Sequence, residues 1–78
     1  MKKNKDSLSY IYWNFRARQR QLGIDVDISR QEWIDWWVAT GKLSERGTNN
    51  EQWCMARIDK TEGFTFSNIQ CIQNKYNR

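Results

Sequence analysis

Three of the chain's five tryptophans, Trp33, Trp36 and Trp37, fall within one stretch, SRQEWIDWWVATG, whose two ends are marked by their own chemistry. Ser29 followed three residues later by Glu32 reads as a capping box, in which each side chain satisfies a backbone N–H that the first helical turn leaves without a partner. Gly41 supplies the stop, because glycine enters the left-handed conformation at a helix C-terminus without steric cost. The pattern predicts a helix over Arg30–Thr40 with Trp33, Trp36, Trp37 and Thr40 on one side and Ile34 and Val38 adjacent. So broad an apolar stripe belongs on a core. A chain of 78 residues stands near the lower limit for a single core without a staple, and large aromatic side chains are one way to compensate. One domain, residues 1–78, is expected.

Upstream, residues 1–6 read as a basic tail, and Asp6 or Ser7 can cap a first helix. Its apolar positions Leu8, Ile11, Tyr12, Phe15 and Leu22 recur at helical spacing before Gly23 ends it. Trp13, Arg16 and Arg20 share a different face, both basic and aromatic. Such a face is either a solvated side with arginine stems laid over one indole, or a nucleic-acid surface with Arg16 and Arg20 on phosphates. Charge alone does not separate the two. Ile24, Val26 and Ile28 alternate with Asp25 and Asp27, as in a short extended link with one buried side.

Residues 42–52 are polar, contain Gly47 and Asn49-Asn50, and form a loop. A strand over 53–58 follows, with Trp53, Met55 and Arg57 on one side and Cys54, Ala56 and Ile58 on the other. Residues 59–67, carrying Gly63, make a long hairpin loop; 69–72 return as a strand; from Gln73 on a short terminal helix or frayed tail is expected. The fold class is therefore α+β: two N-terminal helices with an extended link (7–41), packed on a C-terminal β-hairpin plus short helix (53–78).

The net charge of +4 is unevenly placed. Lys2, Lys3, Lys5, Arg16, Arg18 and Arg20 face Asp6 alone in the first part of the chain, while Asp25, Asp27, Glu32, Asp35, Glu45 and Glu51 outweigh Arg30, Lys42 and Arg46 in the middle. That distribution fits one phosphate-facing side and disfavours an acidic DNA mimic. No apolar run is long enough to span a bilayer, and MKKNKDS does not lead into a signal-peptide stretch, so a soluble, cytoplasmic protein without a membrane partner is expected. With only Cys54 and Cys71 and no histidine, neither a disulfide framework nor a four-ligand structural zinc site can be assembled.

The segment RIDKTEGFTFSNIQCIQNKYN resembles the second half of HNH (ββα-metal, His-Me finger) endonuclease domains common in phages. The upstream RARQRQLGIDVDISRQEWIDWW is similar to the helix, extended segment and helix that often precede that unit in small phage proteins. The resemblance covers most of the chain from Tyr10 on; its most specific residues are Arg57-Ile58-Asp59, Gly63-Phe64-Thr65, Asn68 and Asn77. It implies a phage or prophage origin and a ββα-metal-like unit. In that family a histidine on the first strand activates water, an acid just before it binds a divalent metal, and a final asparagine completes the metal site. By position Asn77 matches that metal-side asparagine, and Asn68 matches a middle one that holds the loop. Arg57 stands where the histidine belongs and Ala56 where the acid belongs. A guanidinium stays protonated at neutral pH, and alanine offers a metal no oxygen.

The resemblance thus implies a small nucleic-acid-binding protein on an HNH-like scaffold with catalysis lost or weakened. Trp13, Arg16, Arg20, Arg57 and Lys75 would meet DNA, with Arg57 gripping the phosphate that relatives cleave. No cofactor is expected under that reading. The alternative is an active nickase or endonuclease with Mg²⁺ or Mn²⁺ held by Asp59 and Asn77, with Glu62 nearby. A third reading is a phage factor that binds and inhibits a host or defence protein through a surface of this fold.

Overall fold

The computed structural model describes residues 7–77, so the expected tail at 1–6 lies outside the described residues. The first helix, α1, spans Leu8–Gln21 and is capped by Ser7, whose Oγ accepts from the Tyr10 N–H at 3.1 Å. Gly23 adopts φ 75°, turning the chain so that the Ile24 N–H reaches back to the Gln19 carbonyl at 2.9 Å. The second helix, α2, spans Arg30–Thr40. Its capping box is complete: Ser29 Oγ accepts from the Glu32 N–H at 3.1 Å, and Glu32 Oε1 accepts from the Ser29 N–H at 2.9 Å.

Two small sheets complete the α+β architecture. Strands β1 (Val26–Asp27), β2 (Trp53–Arg57), β3 (Phe64–Thr65) and β4 (Ile69–Gln73) pair as β1 with β3 in parallel and β2 with β4 antiparallel. In the hairpin Met55 lies opposite Cys71 and Arg57 opposite Ile69. The parallel pair sets Val26 beside Phe64 and ties the link between the helices to the hairpin loop. Residues 59–67, expected as loop throughout, therefore contain β3 and the start of a 3₁₀ turn, Phe66–Asn68. A two-residue strand has no periodicity to read, and its partner lies far away in sequence. Two further 3₁₀ turns occur, Leu43–Glu45 within the expected loop and Asn74–Tyr76 where a short terminal helix or tail was expected.

The core gathers Tyr12, Ile28, Trp33, Trp37, Met55, Phe64 and Ile69. Trp33 and Trp37 are 0% and 1% exposed, as the stripe on α2 requires, whereas Val38 on the same helix turns to solvent. Tyr12 stands edge-on to Trp33 with centroids 5.8 Å apart, and Phe15 edge-on to Phe64 at 5.1 Å, geometries that the ring quadrupoles favour. The Tyr12 hydroxyl donates to the Ile28 carbonyl, so this phenol is buried with its polar end satisfied. Among the described residues no helix is long and apolar enough to cross a membrane.

Gly63 permits the crossing between the two halves. A Cβ at this position would stand 2.7 Å from the Asp25 carbonyl oxygen, the same oxygen that accepts the Phe64 N–H at 2.8 Å. Gly63→Ala is expected to destabilise the fold by about 1–3 kcal/mol, the usual cost of forcing backbone apart in a packed region. Chemical denaturation measures it, and an unchanged midpoint would show that the β1–β3 pairing contributes nothing.

Candidate nucleic-acid interface

Five of the residues that carry the family resemblance converge on the turn after β2. Asn68 Oδ1 accepts from the Asp59 N–H at 2.8 Å, and its Nδ2 donates to the carbonyls of Asp59 at 3.0 Å and Gly63 at 2.9 Å. The Asp59 carboxylate accepts from the Thr61 N–H at 2.9 Å and the Thr61 hydroxyl at 2.6 Å, an Asx turn. Those bonds hold its pKa below the ordinary carboxylate value. Arg57 Nη1 donates to the carbonyls of Lys60 at 2.7 Å and Glu62 at 2.9 Å, and its guanidinium lies 5.7 Å from the Phe64 ring centroid. Arg57, Asp59 and Asn68 are thus spent on folding residues 59–63 into a fixed loop.

Asn77 is held elsewhere. Its amide lies 3.8 Å from Cys54 Sγ, at the start of β2, whereas Asp59 follows the end of that strand. Cys54 and Arg57 are separated by roughly 10 Å of extended chain, so the structure does not bring Asp59 and Asn77 together. Ala56, at the position of the metal acid, is buried. Both cysteines are free, and burial raises the pKa of each.

A second asparagine repeats the device of Asn68 at the other end of the hairpin. Asn74 Nδ2 donates to the carbonyls of Gly47 and Asn49, both at 2.8 Å, and fastens the 47–50 loop to the end of β4. Beside it Lys75 Nζ meets Glu51 at 3.0 Å, and that hydrogen bond raises the lysine pKa. Lys75, expected on phosphate, is therefore engaged by a carboxylate.

Six of the described basic residues divide between two grooves. Trp13, Arg16 and Arg20 line one of ≈ 830 Å³ along α1 and β1, which also contains Asp25 and Asp27, so two cations there face two anions. Arg16 Nη1 also donates to the Tyr12 hydroxyl at 3.1 Å, and Trp13 is exposed. The other groove, ≈ 650 Å³ between α1 and β2, is lined by Arg18, Arg46, Arg57 and Lys60 and by no carboxylate. Asn14 and Asn77 add amides to it. Of its four cations, only Arg57 belongs to the set expected from sequence. Arg18 was legible in principle, since it follows Phe15 and precedes Leu22 on one side of α1; Arg46 and Lys60 sit in loops with no periodic signal.

Arg46 has the least ordinary surroundings of the four. Its guanidinium carbon lies 5.3 Å from the Trp33 ring centroid and 5.4 Å from that of Trp37. Burial lowers its pKa. Among the described residues its side chain makes no ion pair or hydrogen bond, and Nε is buried without an acceptor, as are the indole N–H groups of Trp33 and Trp37. Each such donor costs on the order of 1–3 kcal/mol when nothing accepts from it.

Comparison of the chain with protein-family models, with curated proteins and with solved structures finds no match.

Asn68→Ala is expected to cost about 1–2 kcal/mol, because it removes three hydrogen bonds of modest net worth each at a largely exposed loop. Hydrogen exchange should show the loss confined to residues 59–63. The Asp59 bonds to Thr61 contribute above the ordinary carboxylate pKa of 3.8 and are lost as pH falls through the lowered folded value. An NMR titration following the Thr61 amide should therefore give a midpoint below that of a free aspartate; an ordinary midpoint would count against the Asx turn.

Proposed function

We propose that this chain is a small DNA-binding protein on an HNH-endonuclease-like ββα scaffold whose cutting chemistry is lost, and that it holds the phosphate backbone in the groove between α1 and β2. The observation that carries this reading is the composition of that groove, four cations without a carboxylate on a chain of net charge +4. Such a groove attracts a polyanion and releases its counterions on binding. The α1–β1 groove with Trp13, Arg16 and Arg20 is a weaker candidate, because Asp25 and Asp27 offset its charge and repel phosphate.

Loss of cleavage is favoured by the same geometry. A general base is missing where Arg57 stands, and its fork is turned to the carbonyls of Lys60 and Glu62. The Asp59 carboxylate bonds Thr61, while Asn77 lies near Cys54, so the two oxygen donors of a nickase reading point to different ends of the hairpin. Three of the groove's aromatic rings, Trp33, Trp37 and Phe64, are buried, which leaves the half-buried Phe15 and Trp53 for any base stacking. Recognition then rests mainly on phosphate contacts, which position a protein without reading sequence.

Duplex DNA should bind at low salt with a slope of log K against log [salt] of about −2, the value for roughly two phosphates neutralised, by Arg18 and Arg46. Arg18→Ala should reduce the magnitude of that slope by about 1, similarly for unrelated sequences. Supercoiled plasmid incubated with Mg²⁺ or Mn²⁺ should remain uncut. Binding that is absent at low salt or insensitive to salt sinks the proposal, and nicking abolished by Asp59→Ala or Asn77→Ala would replace it with the nickase reading.

A further inference from the structure

We infer that Arg46 anchors a phosphate-binding site in the α1–β2 groove, its guanidinium held against Trp33 and Trp37 and its Nη donors left for an oxyanion. The inference deepens the nucleic-acid reading by naming the group that fixes one phosphate. It rests on that reading for the identity of the ligand but not for the existence of the site.

An arginine brought against apolar rings loses hydration and ordinarily recovers it through a carboxylate or carbonyl acceptor. Arg46 has neither among the described residues, although it is partly buried and its Nε is wholly removed from solvent. Its place over the Trp33 and Trp37 rings offsets part of that loss through the ring quadrupoles, and contact with both rings restricts where the guanidinium sits. A planar guanidinium is suited to two oxygens of one phosphate, whereas a lysine at this place would offer only a point charge.

The neighbourhood selects for an anion. Arg18, Arg57 and Lys60 line the same groove and no carboxylate does. Arg46 itself is pinned at its backbone, where it bridges to Trp53, and the loop beyond it is held by the Asn74 bond to the Gly47 carbonyl. A Cβ at Gly47 would meet only the end of the Gln52 side chain, which can swing aside. The Arg46 side chain projects from a fixed backbone onto fixed rings. Preorganisation of this kind lowers the entropy lost when an anion arrives.

The test uses the full chain and two probes, inorganic pyrophosphate at constant ionic strength and a short duplex DNA. Pyrophosphate should change the tryptophan fluorescence saturably, because its target sits on two indoles, and should raise the thermal midpoint. In Arg46→Lys, which keeps a cation over the rings, both effects should vanish, and duplex affinity should fall by about tenfold or more, the loss expected when a charged hydrogen-bonding pair is removed. Arg20→Ala, in the other groove, should leave the pyrophosphate response intact. No saturable response in the unmodified protein, or an equal response in Arg46→Lys, overturns the inference. Should duplex DNA bind with no dependence on Arg46 and pyrophosphate give no response that Arg46→Lys removes, the phosphate site falls and the nucleic-acid reading stands. Should pyrophosphate bind through Arg46 while DNA does not, the site stands and its ligand is a small phosphate compound.

Discussion

Burial of two indoles one helical turn apart is the constraint to which much of this molecule answers. Trp33 and Trp37 are removed from water almost entirely, and a chain of 78 residues can do this only by bringing several elements onto one side of α2. Tyr12 and Phe15 of α1 meet Trp33, Trp36 stands edge-on to Trp37, and Arg46 covers both buried rings. Full burial of an aromatic side chain contributes roughly 1.5–3 kcal/mol, more than capping or a surface ion pair usually supplies. The same packing creates an electrostatic consequence, because a cation lying on buried rings is shielded from solvent as well as from most acceptors.

The short strands depend on side chains more than on pairing. Two-stranded sheets are marginal by themselves in water, and here each end of the β2–β4 hairpin is closed by an asparagine that bonds two loop carbonyls. Asn68 does so for residues 59–63 and Asn74 for 47–50. The 59–63 loop carries a glycine where a side chain would collide with backbone, at Gly63 with the Asp25 carbonyl. The loops that bracket the α1–β2 groove are therefore built structures, which is what a site for a fixed ligand requires.

How much of this could be read from residues in order depends on whether the determining contact is local. The helices follow from local chemistry: Ser7, the Ser29–Glu32 box, Gly23 and Gly41 act within a few residues, and each is found in the expected place. β3 answers instead to Asp25 and Val26, nearly forty positions away, which no periodicity within TEGFTFSN could announce. The basic face suffers from the same limit. Trp13, Arg16 and Arg20 share a side of α1, but what that side faces is decided by Asp25 and Asp27 on the next segment. Arg18, in line with Phe15 and Leu22 on the apolar side of α1, meets Arg46 and Lys60 in the groove only after folding. Charge clustering along a chain and charge clustering on a surface are different quantities, and only the second steers a ligand.

The likeness to HNH domains also changes meaning once each residue has a partner. Arg57 bonds Lys60 and Glu62, Asp59 bonds Thr61, Asn68 bonds Asp59 and Gly63, and Gly63 makes room for Asp25. All of these bonds close a turn and none requires a metal or a water nucleophile. A chain can therefore keep R-I-D, G-F-T and N at this spacing because they fold the loop, whether or not it ever cleaves anything. What the groove holds besides the loop is charge, and under the proposed function charge held in place by packing would bind phosphate without breaking its ester, which needs a group that can exchange a proton near neutral pH.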